Sequence, residues 1–283
     1  MKLLKLISIF FFLLFEVFFV HADMLDRQLE MQISEKLTEK AKASEFLWLD
    51  ANGEKFLALL TEQTAEKAEG AIIILHSMGA HADWPQTISP LRTILPEYGW
   101  MTLSIQLPVI ASENQNEDYG ITLKQSSERI KAAIRLLHER KFLNVVAIGH
   151  SFGAASVLAY LENQGEEKII ALGAIGLQDY PFVKPPIDLL DLIKNSKIPI
   201  LDIYGSRDFK RVVDQAPDRR LAAKKGKNNK YTQVEIDGAD HYFTKLEDEL
   251  IKRIRGWLKA AAPGISIIVN KDNVKDENEN NEE

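Results

Sequence analysis

Three residues in this chain have the types and the order that acyl-transfer chemistry requires: Ser151, Asp208 and His241. A serine hydroxyl is a poor nucleophile near neutral pH. It needs a base to take its proton and a carboxylate to hold that base in the right tautomer. Ser151 lies in the stretch NVVAIGHSFGAA, residues 144–155, where an apolar run meets Gly149-His150-Ser151-Phe152-Gly153 and a run with helical spacing follows. This is the G-x-S-x-G pattern between a strand and a helix. The sharp turn exposes the serine at the carboxyl end of the strand, and Gly149 and Gly153 leave room for the strand and helix to approach. A plain small-residue turn is the structural alternative.

The partners of such a serine follow it in the order acid, then histidine. The apolar run at 198–204 ends in Gly205-Ser206-Arg207-Asp208, and the run at 231–236 ends in Asp237-Gly238-Ala239-Asp240-His241. Both residues therefore fall just past the carboxyl end of a strand, where open parallel sheets gather their chemistry. Of six histidines only His241 follows Ser151 in the chain. Asp202 is expected to point into sheet packing, Asp214 and Asp218 lie along the next helix, and Asp237 and Asp240 are too near His241 to orient it easily. The competing role for Asp208 is a helix N-cap; for His241 it is a surface histidine at a helix start. An oxyanion hole needs two N–H donors. Phe152 supplies one, and Met78, in the loop Leu75-His76-Ser77-Met78-Gly79 after the run at 71–75, is the candidate for the other.

The elements that must position these groups are legible as periodicity. Continuous apolar runs at 71–75, 101–107, 144–148, 169–175, 198–204 and 231–236 read as buried strands. Helical patterns lie between them, including 122–140 and 242–259. Six alternations of strand and helix predict an α/β protein with a largely parallel sheet and helices on both faces. Asn52-Gly53 between two apolar runs predicts a β-hairpin at 46–62. Leu25, Leu29, Ile33 and Leu37 recur every four residues, so 25–43 reads as an amphipathic helix packed on the domain. Only about twenty residues separate Gly176 from Ile198, too few for a large cap domain. The loop 109–120 is a second wall for the site.

These motifs together resemble the α/β-hydrolase superfamily over about residues 46–260. Its oxyanion loop is often H-G-x-G; here it reads HSMG, with Ser77 in place of the first glycine. Residues 76–108, HSMGAHADWPQTISPLRTILPEYGWMTLSIQLP, also resemble an uncharacterised family of secreted bacterial proteins of this fold. The resemblance implies a serine hydrolase of carboxylic or thio-esters, or of amides, working without a cofactor on a small-molecule or lipid substrate. The alternative from another class is a non-catalytic envelope protein that reuses the fold for binding.

Composition sets the remaining bounds. Net charge is −6, which suggests no nucleic-acid partner, and there is no cysteine for a disulfide, thiolate nucleophile or thiolate-bound zinc. His76, His81 and Asp83 have a spacing that invites a metal, but no acidic motif accompanies them and none is expected. Lys2 and Lys5, an apolar core over 6–15 and Val20-His21-Ala22 read as an export signal over residues 1–22, so the body is expected in the periplasm or outside the cell. An uncleaved anchor is the alternative. Residues 23–45 form an N-terminal extension to the main domain at 46–262, and 263–283 is an acidic tail expected to be disordered. Residues 210–230 concentrate Lys and Arg and are expected near the mouth of the site, where they would favour anionic esters or peripheral contact with an acidic membrane. Oligomeric state is not legible.

Overall fold

The structure, a computed structural model, describes residues 25–40, 45–110, 116–163 and 168–264. The export segment, residues 111–115 of the second wall and the acidic tail from 265 lie outside the described residues.

Helix α1 (Arg27–Lys40) precedes a hairpin of β1 (Glu45–Ala51) and β2 (Glu54–Thr61). Asn52 (φ 57°) and Gly53 (φ 88°) make its two-residue turn, both in the left-handed region that Asn-Gly tolerates. The chain then alternates: β3 (Gly70–Leu75), α2 (Ile88–Ile94), β4 (Trp100–Ile105), α3 (Thr122–Glu139), β5 (Val145–His150), α4 (Phe152–Glu162) and β6 (Ala171–Ile175). It continues with α5 (Leu189–Asn195), β7 (Ile200–Gly205), α6 (Lys210–Asp214), α7 (Ala216–Lys225), β8 (Tyr231–Ile236) and α8 (Glu247–Ala261).

The eight strands form one sheet in the order β1-β2-β4-β3-β5-β6-β7-β8. β3 to β8 are mutually parallel, and the hairpin joins β4 antiparallel. Residues of β3 divide between two cores by their alternation: Ala71, Ile73 and Leu75 pack with α3 and α4, while Ile72 and Ile74 pack with α2 and α8. Both faces are covered, which is why the central strands read as unbroken apolar runs. The connection between β6 and β7 holds α5 and loop only, so no cap domain sits there. This is the architecture that the α/β-hydrolase resemblance implied.

Several boundaries differ from expectation, and β7, for one, begins at Ile200 rather than 198. β4 stops at Ile105 rather than 107, and just past it the Gln106 side chain accepts from Ala82 N–H and bonds His76. β6 begins at Ala171 rather than 169. The last helix starts at Glu247 rather than 242, because Phe243 (φ 57°) and Lys245 (φ 64°) belong to turns that shape the loop carrying His241. Among the described residues no helix is long and apolar enough to cross a membrane.

Candidate active site

β5 lies between β3 and β6, and the chain turns sharply at its end. Ser151 is held at φ 54°, ψ −116°, a conformation that a residue with a Cβ reaches only when its surroundings impose it. The surroundings do so here. Ser151 N–H donates to Ile175 O of β6 at 2.7 Å, and α4 begins at the next residue. A Cβ on Gly149 would meet Ala154 N at 2.4 Å, and one on Gly153 would meet Leu75 O at 2.5 Å. The turn therefore closes only with hydrogen at both positions, and this is the physical content of the two glycines in the motif.

The loops after β7 and β8 are stitched together. Ser206 N–H donates to Ile236 O and Arg207 N–H to Ala239 O, both at 2.9 Å. That pairing brings Asp208 to His241: His241 Nδ1–H donates to Asp208 Oδ1 at 2.6 Å, and both side chains are buried. Asp208 Oδ1 also accepts from Phe209 N–H at 2.7 Å, while Oδ2 has no partner among the described residues. Asp208 caps no helix side chain to backbone; Phe209 stands at the N-cap of α6. The Phe209 ring stacks on His241 at 4.2 Å with an interplanar angle of 23°. With Nδ1 protonated, Nε2 carries the lone pair, as a general base requires.

Two further groups fix this histidine. Gly176 (φ 61°) lies against it, and a Cβ there would stand 2.9 Å from His241 Cε1 and 3.0 Å from Nδ1. His150 Nε2–H donates to His241 O at 2.9 Å. Burial, followed by the neighbouring His241, pushes the His150 pKa down to about 3, so the ring is neutral at ordinary pH. Ser151 Oγ makes its hydrogen bond with Tyr180 OH, at 3.0 Å, and none with His241. Burial pushes the Tyr180 phenol pKa up, so its hydroxyl stays protonated. Serine-to-base contacts are often unmade in the absence of substrate and tighten when the substrate binds.

The loop after β3 is held by His76 and Tyr119. His76 Nδ1–H donates to Ser77 O at 2.8 Å, and its Nε2 accepts from Leu107 N–H at 2.9 Å. Burial lowers its pKa to about 3, which keeps Nε2 an acceptor. Gly79 N–H donates to Tyr119 OH at 3.2 Å, and the Tyr119 ring packs edge-on against Phe152 at 5.5 Å. Among the described residues neither Met78 N–H nor Phe152 N–H donates to a protein acceptor. The His76 ring thus ties the backbone at Ser77 to Leu107 beyond β4.

The H-x4-H-x-D residues do not converge. Both His76 nitrogens are engaged, and Asp83 pairs with Arg92 at 2.9 Å. The basic lobe needs a correction. Arg219 is fully buried in α7, where it forms a two-pronged pair with Asp202 at 2.8 and 3.1 Å. Tyr231 and Gln233 complete that network. Lys210 and Arg211, nearest the site, pair with Asp214 and Asp179. Lys224 and Lys227 flank Tyr231 at the start of β8, the opposite end of the sheet from Ser151. α7 runs back along the sheet, so the lysine-rich half of 210–230 faces away from the site mouth.

Sequence reasoning singled out neither Tyr180 nor Gly176, and it saw His150 only as part of the turn. Gly176, directly after an apolar run, was the readable signal, since ends of parallel strands line the site. Tyr180 in a proline-rich loop carried none.

Solved structures of the same fold are numerous. A dienelactone hydrolase from Anabaena variabilis superposes with a TM-score of 0.64 at 18% identity, covering 77% of this chain and 98% of that one. Est1E from Butyrivibrio proteoclasticus gives 0.60 at 16%, covering 76% and 98%. An α/β serine hydrolase without a lid from Xanthomonas campestris gives 0.59 at 16%, covering 80% and 98%. At such identities the likeness establishes the α/β-hydrolase fold. No curated protein matches by sequence. One family model matches residues 24–122 and 112–260, so it spans α1, the whole sheet and every residue of the site described above, and the chain belongs to the family described as "Protein of unknown function (DUF3530)".

Proposed function

We propose that this protein is an exported serine hydrolase that cleaves carboxylic or thio-esters through an acyl-enzyme. The observation that carries the reading is the 2.6 Å bond between His241 Nδ1 and Asp208 Oδ1, beside a serine held at φ 54° on the turn from strand to helix. Ser151 Oγ leaves Tyr180 and gives its proton to His241 Nε2 as it attacks the carbonyl carbon. The oxyanion forms against the Met78 and Phe152 N–H groups. Asp208 holds the imidazolium, which returns the proton to the leaving alcohol or thiol as the carbon–oxygen or carbon–sulfur bond breaks. Water then repeats the cycle on the acyl-serine. Esterase and dienelactone hydrolase, the activities of structural neighbours, are of this kind. Ser151→Ala should abolish both labelling by a fluorophosphonate and hydrolysis of aryl esters. Equal activity of the two proteins at matched purity refutes the assignment.

A binding protein on the same fold is the second reading, favoured by the Ser151–Tyr180 bond standing where a Ser151–His241 bond is wanted. An unlabelled Ser151 in the wild-type protein decides for it. Export rests on residues 1–22, and the expectation is cleavage after Ala22. N-terminal sequencing of the mature protein checks it, and a start at Met1 in the envelope fraction means an anchor.

A further inference from the structure

A cavity of about 160 Å³ adjoins the serine turn. Its wall includes Leu29, Ile33, Met78, Tyr119, Ser126 and Phe152. Its wall takes in the loop of Met78 and the residue after the nucleophile, while Ser151 itself, Asp208, Phe209, Tyr180 and His241 lie off it. In ester cleavage the leaving group must lie on the side of the proton donor, His241. A pocket that opens beside Met78 and Phe152, with no wall from His241, is therefore placed for the acyl group.

One wall comes from outside the hydrolase-like body. Leu29 and Ile33 belong to α1, and both are half-buried. α1 is tied to the body. Glu30 takes two hydrogen bonds from Arg129, at 2.7 and 3.1 Å, inside the protein, and Arg129 also donates to Gln106 O at 2.8 Å. Asp26 N–H donates to Val109 O at 2.8 Å at the helix entry. The wall thus bounds the depth of the cavity.

The lining carries one unsatisfied polar group. Ser126 is 1% exposed, and its Oγ has no hydrogen-bond partner among the described residues. Thr122, one turn earlier, is satisfied by Tyr119 O at 2.7 Å. A buried hydroxyl without a partner is costly, and native sites that keep one usually receive the partner from a ligand or water.

We propose that this cavity is the acyl subsite, and that it selects short acyl groups, up to about six carbons, bearing an oxo or hydroxyl substituent that bonds Ser126. The length follows from the volume, since an apolar cavity of about 150 Å³ holds a six-carbon guest of benzene size. The inference rests on the hydrolase reading above. It adds the substrate class and assigns Ser126, Leu29 and Ile33 as specificity determinants.

The test uses the full mature protein and p-nitrophenyl esters from acetate to dodecanoate, with 4-oxopentanoate and 5-oxohexanoate set against pentanoate and hexanoate. In the wild type, kcat/KM should fall at least about tenfold between six and ten carbons, and the oxo-esters should be favoured on the order of tenfold, the worth of one buried hydrogen bond. Ser126→Ala should erase the oxo preference within each matched pair. Leu29→Ala and Ile33→Ala should move the fall-off to longer chains. Each readout is a ratio within one protein, so an altered amount of folded enzyme does not mimic it. Identical ratios in wild type and variants overturn the acyl-pocket proposal while leaving the hydrolase standing. Failure of a fluorophosphonate to label Ser151 removes the hydrolase itself and this inference with it.

Discussion

Replacing Gly176 by alanine tests whether the backbone beside His241 sets its chemistry. The new Cβ would stand 2.9 Å from Cε1, 3.0 Å from Nδ1 and 3.4 Å from Asp208 Oδ2. Gly176 cannot retreat easily, because its N–H donates to Ile203 O at 2.9 Å and the preceding residue pairs with Ser151 N–H at 2.7 Å. The ring must give way instead, by a few tenths of an ångström or more, and it must turn against the 2.6 Å bond to Asp208. A misplacement approaching 1 Å costs about 100-fold in rate. The left-handed φ of 61° adds about 1–2 kcal/mol of backbone strain for alanine, which lowers Tm by only a few degrees for a chain of this size. Gly53→Ala is the control. Its φ of 88° imposes comparable strain, but a Cβ there meets nothing within 4 Å. The assay is kcat/KM on a short-chain aryl ester together with thermal unfolding of both variants. Similar Tm losses with a drop of about 100-fold in Gly176→Ala alone are expected. Wild-type kcat/KM in Gly176→Ala would refute the claim that this contact positions the base.

Three other outcomes are expected. Asp208→Asn should lower kcat by about 10⁴ while leaving measurable activity, since the nucleophile and base remain; activity as low as that of Ser151→Ala would count against an orienting role for Asp208. His76 and His150, each with a pKa lowered to about 3 from 6.5, are neutral when folded. Their contribution is intact above pH 6.5 and is lost as pH falls from there towards 3, at about 1.4 kcal/mol per unit for each ring, so the urea midpoint should be clearly lower at pH 5 than at pH 7, and equal midpoints would exclude buried neutral rings. Arg219→Met should cost about 3–5 kcal/mol by stranding the Asp202 charge, whereas Arg220→Met should cost little; equal urea midpoints for the two would show that the Asp202 pair is not buried as described.

The sheet was legible because strands covered on both faces leave continuous apolar runs such as Ala71–Leu75. Asp208 and His241 were legible because each follows such a run. What escaped were contacts made across the top of the sheet. Tyr180 reaches Ser151 from a loop whose course no periodicity dictates. Arg219 looked like part of a solvated charge run because its neighbours Arg220, Lys224 and Lys225 are solvated. The clue lay elsewhere, in Asp202 at the centre of an apolar strand, where a carboxylate demands a buried cation. The start of α8 was misplaced because Phe243 and Lys245 take left-handed conformations that their residue types do not advertise.

The α1 wall of the cavity also bears on how the chain folds. Glu30 and Arg129 are 99 positions apart, and His150 and the His241 carbonyl are 91 apart. Closing such loops costs chain entropy that local hairpins and helices do not incur, and contacts of long sequence separation set the pace of folding. The β1–β2 hairpin and the helices can form from neighbours alone. The cavity wall needs the first helix to find the middle of the chain, and His241 needs the last loop to find it too. Closing the pocket and seating the histidine therefore both wait on contacts between distant parts of the chain.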